Sequence, residues 1–152
     1  MTARTFAALG GGFYLVLGVM GFVPAMWERP PSGPALSIRV FHAGVLGLFA
    51  VNIMLSMLHL VIGLWGVMAA NNRYSALMFA RAGAAVFAIL GIAGLIPITE
   101  VKTAYGTLPL YGYNAWLHLA TALIALLFAI RPGYRLTQIG LKEEMNPHRT
   151  SV

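Results

Sequence analysis

The chain has 152 residues, of which 59% are hydrophobic and only 9% charged, with a mean hydropathy of +0.79. A soluble domain carries about a quarter charged residues, so an ordinary water-soluble enzyme and any sizeable extramembrane domain are excluded. The net charge of +6 falls at the edges of long uncharged stretches, Thr5–Trp27, Val40–Asn72, Ala82–Thr99 and Thr103–Ile130, which reads as membrane topology and not as a nucleic-acid surface. There is no cysteine, which removes disulfides, thiolate metal sites and thiol chemistry.

Crossing a hydrocarbon core of about 30 Å takes about 20 helical residues, and the chain has room for four such spans. The first is predicted over 6–23 and stops at Pro24, which cannot continue a helix. It lacks an Ala-x-Ala cleavage signal and reads as a retained helix that also directs insertion. Gly10, Gly11 and Gly12 lie within it, where they serve packing and not anion binding. The segment WERPPSGPALSIR that follows is a loop by its prolines and glycine. A single helix from Val40 to Asn72 would be about 50 Å long, too long to cross without extreme tilt. Ile38–Phe49 is therefore read as an interfacial or re-entrant piece, and 51–70 as the second span. Asn71, Asn72 and Arg73 make a turn. The third span is predicted over 77–96, with Arg81 snorkelling to the headgroups, and ends at Pro97. Ile98–Gly112 is a second loop, and 114–130 the fourth span. From 132 to 152 the chain is a polar tail that Leu136, Ile139 and Leu141 could rest on a membrane surface. Trp27, Tyr105, Tyr111, Tyr113 and Trp116 near one boundary, with Tyr74 and Tyr134 near the other, read as aromatic belts.

Seven cations (Arg4, Arg73, Arg81, Arg131, Arg135, Lys142, Arg149) flank one set of span ends, and three (Arg29, Arg39, Lys102) the other. This bias places both termini in the cytoplasm. An internal repeat is also visible: FYLVLGVMGFVP (Phe13–Pro24) matches VFAILGIAGLIP (Val86–Pro97), and Leu58-His59-Leu60 matches Leu117-His118-Leu119. The expected fold is an all-α membrane protein, a four-transmembrane-helix bundle built as two repeated helical hairpins whose pseudo-twofold axis lies along the membrane normal. Small residues in step with the histidines (Gly63, Gly66 and Ala70; Ala122, Ala125 and Ala129) suit close helix packing in lipid.

His59 and His118 are expected at nearly the same depth, about 20 Å above the cytoplasmic anchors. Asn52 and Ser56 share a helix face with His59, and Tyr111, Asn114 and Thr121 with His118. A buried imidazole needs a hydrogen-bonding partner, and three explanations compete. The first is structural: the two histidines bond to each other, to Asn52 or Asn114, or to backbone carbonyls. The second is cofactor binding, with His59 and/or His118 ligating a haem or a chlorophyll-type pigment beside small residues. The third, proton or substrate handling, is disfavoured because no Asp or Glu lies in any span. His42 and His148 read as solvated or headgroup-facing. The four acids Glu28, Glu100, Glu143 and Glu144 form no catalytic pair, and no metal motif is present. Met54, Met57 and Met68 fill gaps in the second span.

The residues Leu46-Gly47-Leu48-Phe49-Ala50-Val51-Asn52, His59-Leu60 with Gly63, Leu108-Pro109-Leu110 and Trp116-Leu117-His118 resemble a family of small bacterial four-helix integral membrane proteins of unknown function. The endings at Pro24 and Pro97 are similar to that family too, and the likeness covers Phe6–Ile130. In the family pattern His commonly stands at the position of Leu55, Asn at Ser56 and Asp at Asn114. The resemblance implies the fold and gives weight to His59 and His118, and it implies a bacterial inner or intracytoplasmic membrane; it brings no activity with it. The expected function is that of a non-enzymatic accessory or stabilising subunit, bathed in membrane lipids and packed against other integral membrane subunits. Tetrapyrrole binding is the alternative. Asn52, Ser56, Asn114 and Thr121 are expected to serve helix packing.

Overall fold

The computed structural model describes residues 2–130. The chain is mostly helical: α1 (Ala3–Met20), α2 (Ile53–Ala69), α3 (Arg73–Leu95), the short α4 (Thr99–Lys102) and α5 (Tyr113–Ala129). Helices α1 and α3 are long and apolar enough to cross a membrane, whereas α2 and α5, at 17 residues each, are shorter apolar helices. Side-chain oxygens fix three of the starts. Thr2 and Thr5 form a capping box on α1, Asn52 accepts from the Leu55 amide, and Asn72 accepts from the Ser75 amide. Each satisfies an amide that would otherwise be orphaned in the first turn. The cap at Asn72 is why α3 begins at Arg73, four residues before the predicted 77.

Helix α1 packs along α2, and α3 along α5, while contacts between the two pairs are thinner. The Arg4 guanidinium donates to the Ala70 carbonyl (2.8 Å) and Phe6 stacks on Phe128 (5.2 Å). The start of α1, the α2–α3 turn and the end of α5 therefore share one end of the bundle. Within each pair the helices meet at small residues. Gly18 lies against Leu60, and Gly91, its counterpart in the matching segment, lies against Leu119. Gly21 lies against Ser56, and Gly94 against Ala115. Between the pairs the contacts are aromatic: Phe6 meets Phe79 at 5.9 Å and Tyr14 stacks on Phe87 at 4.8 Å.

The opposite end is covered by the two long connections. The segment read as interfacial or re-entrant is strand and turn in its second part. It belongs to a three-stranded antiparallel sheet, ordered β1 (Trp27–Glu28), β2 (Ala43–Val45), β3 (Phe49–Val51). The turn between β2 and β3 has Leu46 and Gly47 at φ of 55° and 64°, the left-handed pair that suits a right-twisting hairpin. Val45, Ala50 and Val51 are buried beneath it. Tyr111, expected in an aromatic belt, packs instead with Leu36 and Ala50 inside this cap, its ring over Gly33. Tyr105, Tyr113, Trp116 and Tyr74 are exposed, whereas Trp27, expected in the same belt, is partly buried in β1 with its indole N–H donating to the Met20 carbonyl. The predicted tail at 132–152, with Tyr134, Leu136, Ile139, Leu141 and His148, lies outside the described residues.

His42, read as solvated or headgroup-facing, is half-exposed, and its Nε2 is buried without a hydrogen-bond partner among the described residues. Burial, and secondarily the charge of Arg39, hold its pKa below 6.5. The folded cap therefore binds fewer protons than the unfolded chain. Its stability is full above pH 6.5 and falls as the pH drops below that value. Thermal unfolding in mild detergent should show a lower midpoint at pH 5.5 than at 7.5. The drop should be smaller in His42→Gln; an equal drop in both proteins would remove His42 as its cause.

Candidate functional site

Two polar ladders descend from the cap into the bundle. Asn52, Ser56 and His59 occupy positions i, i+4 and i+7 at the start of α2. Asn114, His118 and Thr121 occupy the same spacing on α5, and such spacing keeps each set on one helix face. All but Thr121 are buried.

The upper rungs belong to the cap. Asn52 Nδ2 donates to the carbonyls of Ile38 (3.0 Å) and Thr107 (2.7 Å), while its Oδ1 caps α2. Asn114 Nδ2 donates to the carbonyls of Ala50 and Pro109, both at 2.6 Å. Each asparagine thus ties the long connection in the first half of the chain to the one in the second. They stitch the cap shut, where the sequence suggested helix-to-helix polar packing. Thr121 does join helices: its hydroxyl pairs with the Tyr14 hydroxyl at 2.8 Å and also donates to the Leu117 carbonyl.

The lower rungs are the histidines, brought together as their matched depth predicted. Their ring centres are 6.4 Å apart with planes at 71°, and they are 3% and 1% exposed. Tyr14 lies 5.2 Å from the His59 ring, and Phe87 lies 5.6 Å from that of His118. Four rings therefore close a circuit, Tyr14–His59–His118–Phe87. Sequence reasoning missed Tyr14 and Phe87, although their common place in the two matching segments was the available signal.

The expected hydrogen bonds to the histidines are not made. Nδ1 and Nε2 of His59, Nδ1 of His118 and Oγ of Ser56 are buried with no partner among the described residues. The reason is visible in the ladder: Asn52 and Asn114 spend their amide groups on loop carbonyls and have no donor left for the imidazoles.

A tetrapyrrole does not fit these residues. The small-residue faces that would flank a macrocycle are filled, with Gly63 against the backbone of Leu15 and Gly66 against Gly11. Tyr14 and Phe87 occupy the space beside the imidazoles, and neither imidazole reaches the outer surface. Among the described residues no group of three or more His, Cys, Asp or Glu could hold a metal ion.

No curated protein and no solved structure matches the chain. A family model does match, over residues 4–131, covering both ladders, the cap and all but the first residue of the described helices. The chain therefore belongs to the family described as Domain of unknown function (DUF4383).

Proposed function

We propose that this chain is a multi-pass membrane protein in which α1, α2, α3 and α5 cross the bilayer. The capped end faces outward and both termini lie on the cytoplasmic side of an inner or intracytoplasmic membrane. The observation that carries this reading is the outer surface of the bundle. Leu9 and Val16 on α1, Val61 on α2, Ile89 on α3, and Leu123 and Leu127 on α5 are all more than half exposed. Apolar surface of that extent needs apolar surroundings. At about 1.5 Å per residue the 17-residue helices reach about 25 Å, within the range of spanning segments. The cation bias supports the orientation. The paired contacts Gly18–Leu60 and Gly91–Leu119 support two hairpin repeats about a pseudo-twofold axis.

Within that membrane the protein acts as a non-catalytic accessory subunit that stabilises a larger assembly. The polar side chains of the two ladders are turned inward or bound into the cap, leaving the apolar outer helix faces to lipid and neighbouring subunits. Two measurements test the reading. Ser32→Cys and Asn71→Cys should label from opposite sides of sealed vesicles, Ser32 outside and Asn71 inside; labelling from one side would overturn the topology. On native gels in mild detergent the protein should migrate with a larger membrane complex. Migration only as a free monomer would overturn the subunit role.

A further inference from the structure

We propose that His59 and His118 form a binding site for a neutral water-sized molecule that both donates and accepts hydrogen bonds, water itself being the resident guest. Three imidazole nitrogens and the Ser56 hydroxyl are buried in this region without a hydrogen-bond partner among the described residues. A buried polar group left unsatisfied is costly, and four in one region are tolerated only if something bonds them. Sites with two to four polar partners in a protein interior are where ordered water is retained.

The ring separation selects the guest. An imidazole nitrogen lies about 1.1 Å from its ring centre, so a direct N–H···N bond of about 2.9 Å would bring the centres to about 5.1 Å or less. A tetrahedral cation held at about 2.0 Å from each nitrogen would also need about 5.1 Å. A bridging oxygen about 2.9 Å from each nitrogen, with a tetrahedral angle, needs about 6.5 Å. The observed separation is 6.4 Å. A linear two-coordinate cation would also span that distance. It would bring an uncompensated charge into a core where α1, α2, α3 and α5 contain no Asp or Glu, and buried charges need partners. A neutral guest carries no such cost.

Neutral imidazole offers one donor and one acceptor, so a water between the rings can accept from one and donate to the other. The remaining His59 nitrogen and Ser56, one turn apart on the same face of α2, can share a second. Asn52 and Asn114 lie on the cap side of the two rings, and Thr121, bonded to Tyr14, lies on the other side, with Tyr14 stacked on Phe87.

The experiment is nuclear magnetic resonance of the full chain in micelles with labelled histidines. Water cross-peaks are expected to the ring protons of both His59 and His118. They should be lost at His59 in Ser56→Ala/His118→Leu, and retained there in His118→Gln, which keeps a donor and an acceptor. Resolved ring signals without water cross-peaks would overturn the proposal. So would a nitrogen–nitrogen coupling across a direct hydrogen bond between the rings. Stoichiometric uptake of Cu(I) or Ag(I) that abolishes the water peaks would overturn it in favour of a cation site. His118→Gln guards the test against a leucine variant that fails to fold.

Discussion

Gly11→Ala is expected to destabilise the bundle by about 3 kcal/mol, at the upper end for overpacking, whereas Gly12→Ala next to it should be neutral or mildly stabilising. A Cβ on Gly11 would lie 2.5 Å from the amide nitrogen of Val67, 2.7 Å from the Gly66 carbonyl carbon and 2.8 Å from the Gly63 oxygen. All three are backbone atoms of α2, so no rotamer change can make room, and the two helices would have to separate along their length. A Cβ on Gly12 meets nothing within 4 Å and gains about 1 kcal/mol of helix propensity. Unfolding in mixed micelles, followed by circular dichroism, compares the two. Equal stability of both variants would mean that α1 and α2 are not held backbone to backbone.

Asn52→Leu should cost on the order of 3–7 kcal/mol. It removes the cap of α2, about 1 kcal/mol, and strips the donor from two loop carbonyls, about 1–3 kcal/mol each when left buried. Asn52→Ser keeps an oxygen for the Leu55 amide and loses only the two amide bonds, so it should fall between wild type and Asn52→Leu. Limited proteolysis offers an independent readout, because freeing the Ile38 and Thr107 carbonyls loosens both long connections together. If Asn52→Ser proves as damaging as Asn52→Leu, the cap on α2 contributes nothing and the loop bonds carry the whole effect.

These two residues also show what the sequence could and could not convey. The glycine face of the first helix and the small faces beside both histidines were legible, because helix periodicity alone sorts residues onto faces. So was the matched depth of His59 and His118, since it follows from rise per residue. The hydrogen-bond assignments of Asn52 and Asn114 were not legible. Each lies on the same face as a histidine, yet its partners are carbonyls supplied by loops 14 and 55, or 5 and 64, residues away. Local spacing carries no information about such partners. The sheet was hidden for a different reason. Its strands are two or three residues long, too short for an alternating pattern, and the one local sign was Gly47 between apolar neighbours. The early start of α3 could have been found from Asn72, a strong cap residue that was assigned to a turn.

The contrast between glycine contacts inside each hairpin and ring contacts between the hairpins bears on how the protein is made. Each helix pair, α1 with α2 and α3 with α5, keeps its tightest fit to itself. On the proposed topology, each would enter the bilayer as a finished pair of helices before meeting the other. Docking then requires only that flat side chains settle on one another, a softer join that tolerates small rotations. The Asn52 and Asn114 bonds, each joining a carbonyl of one half to a carbonyl of the other, can all be made only with both halves in place.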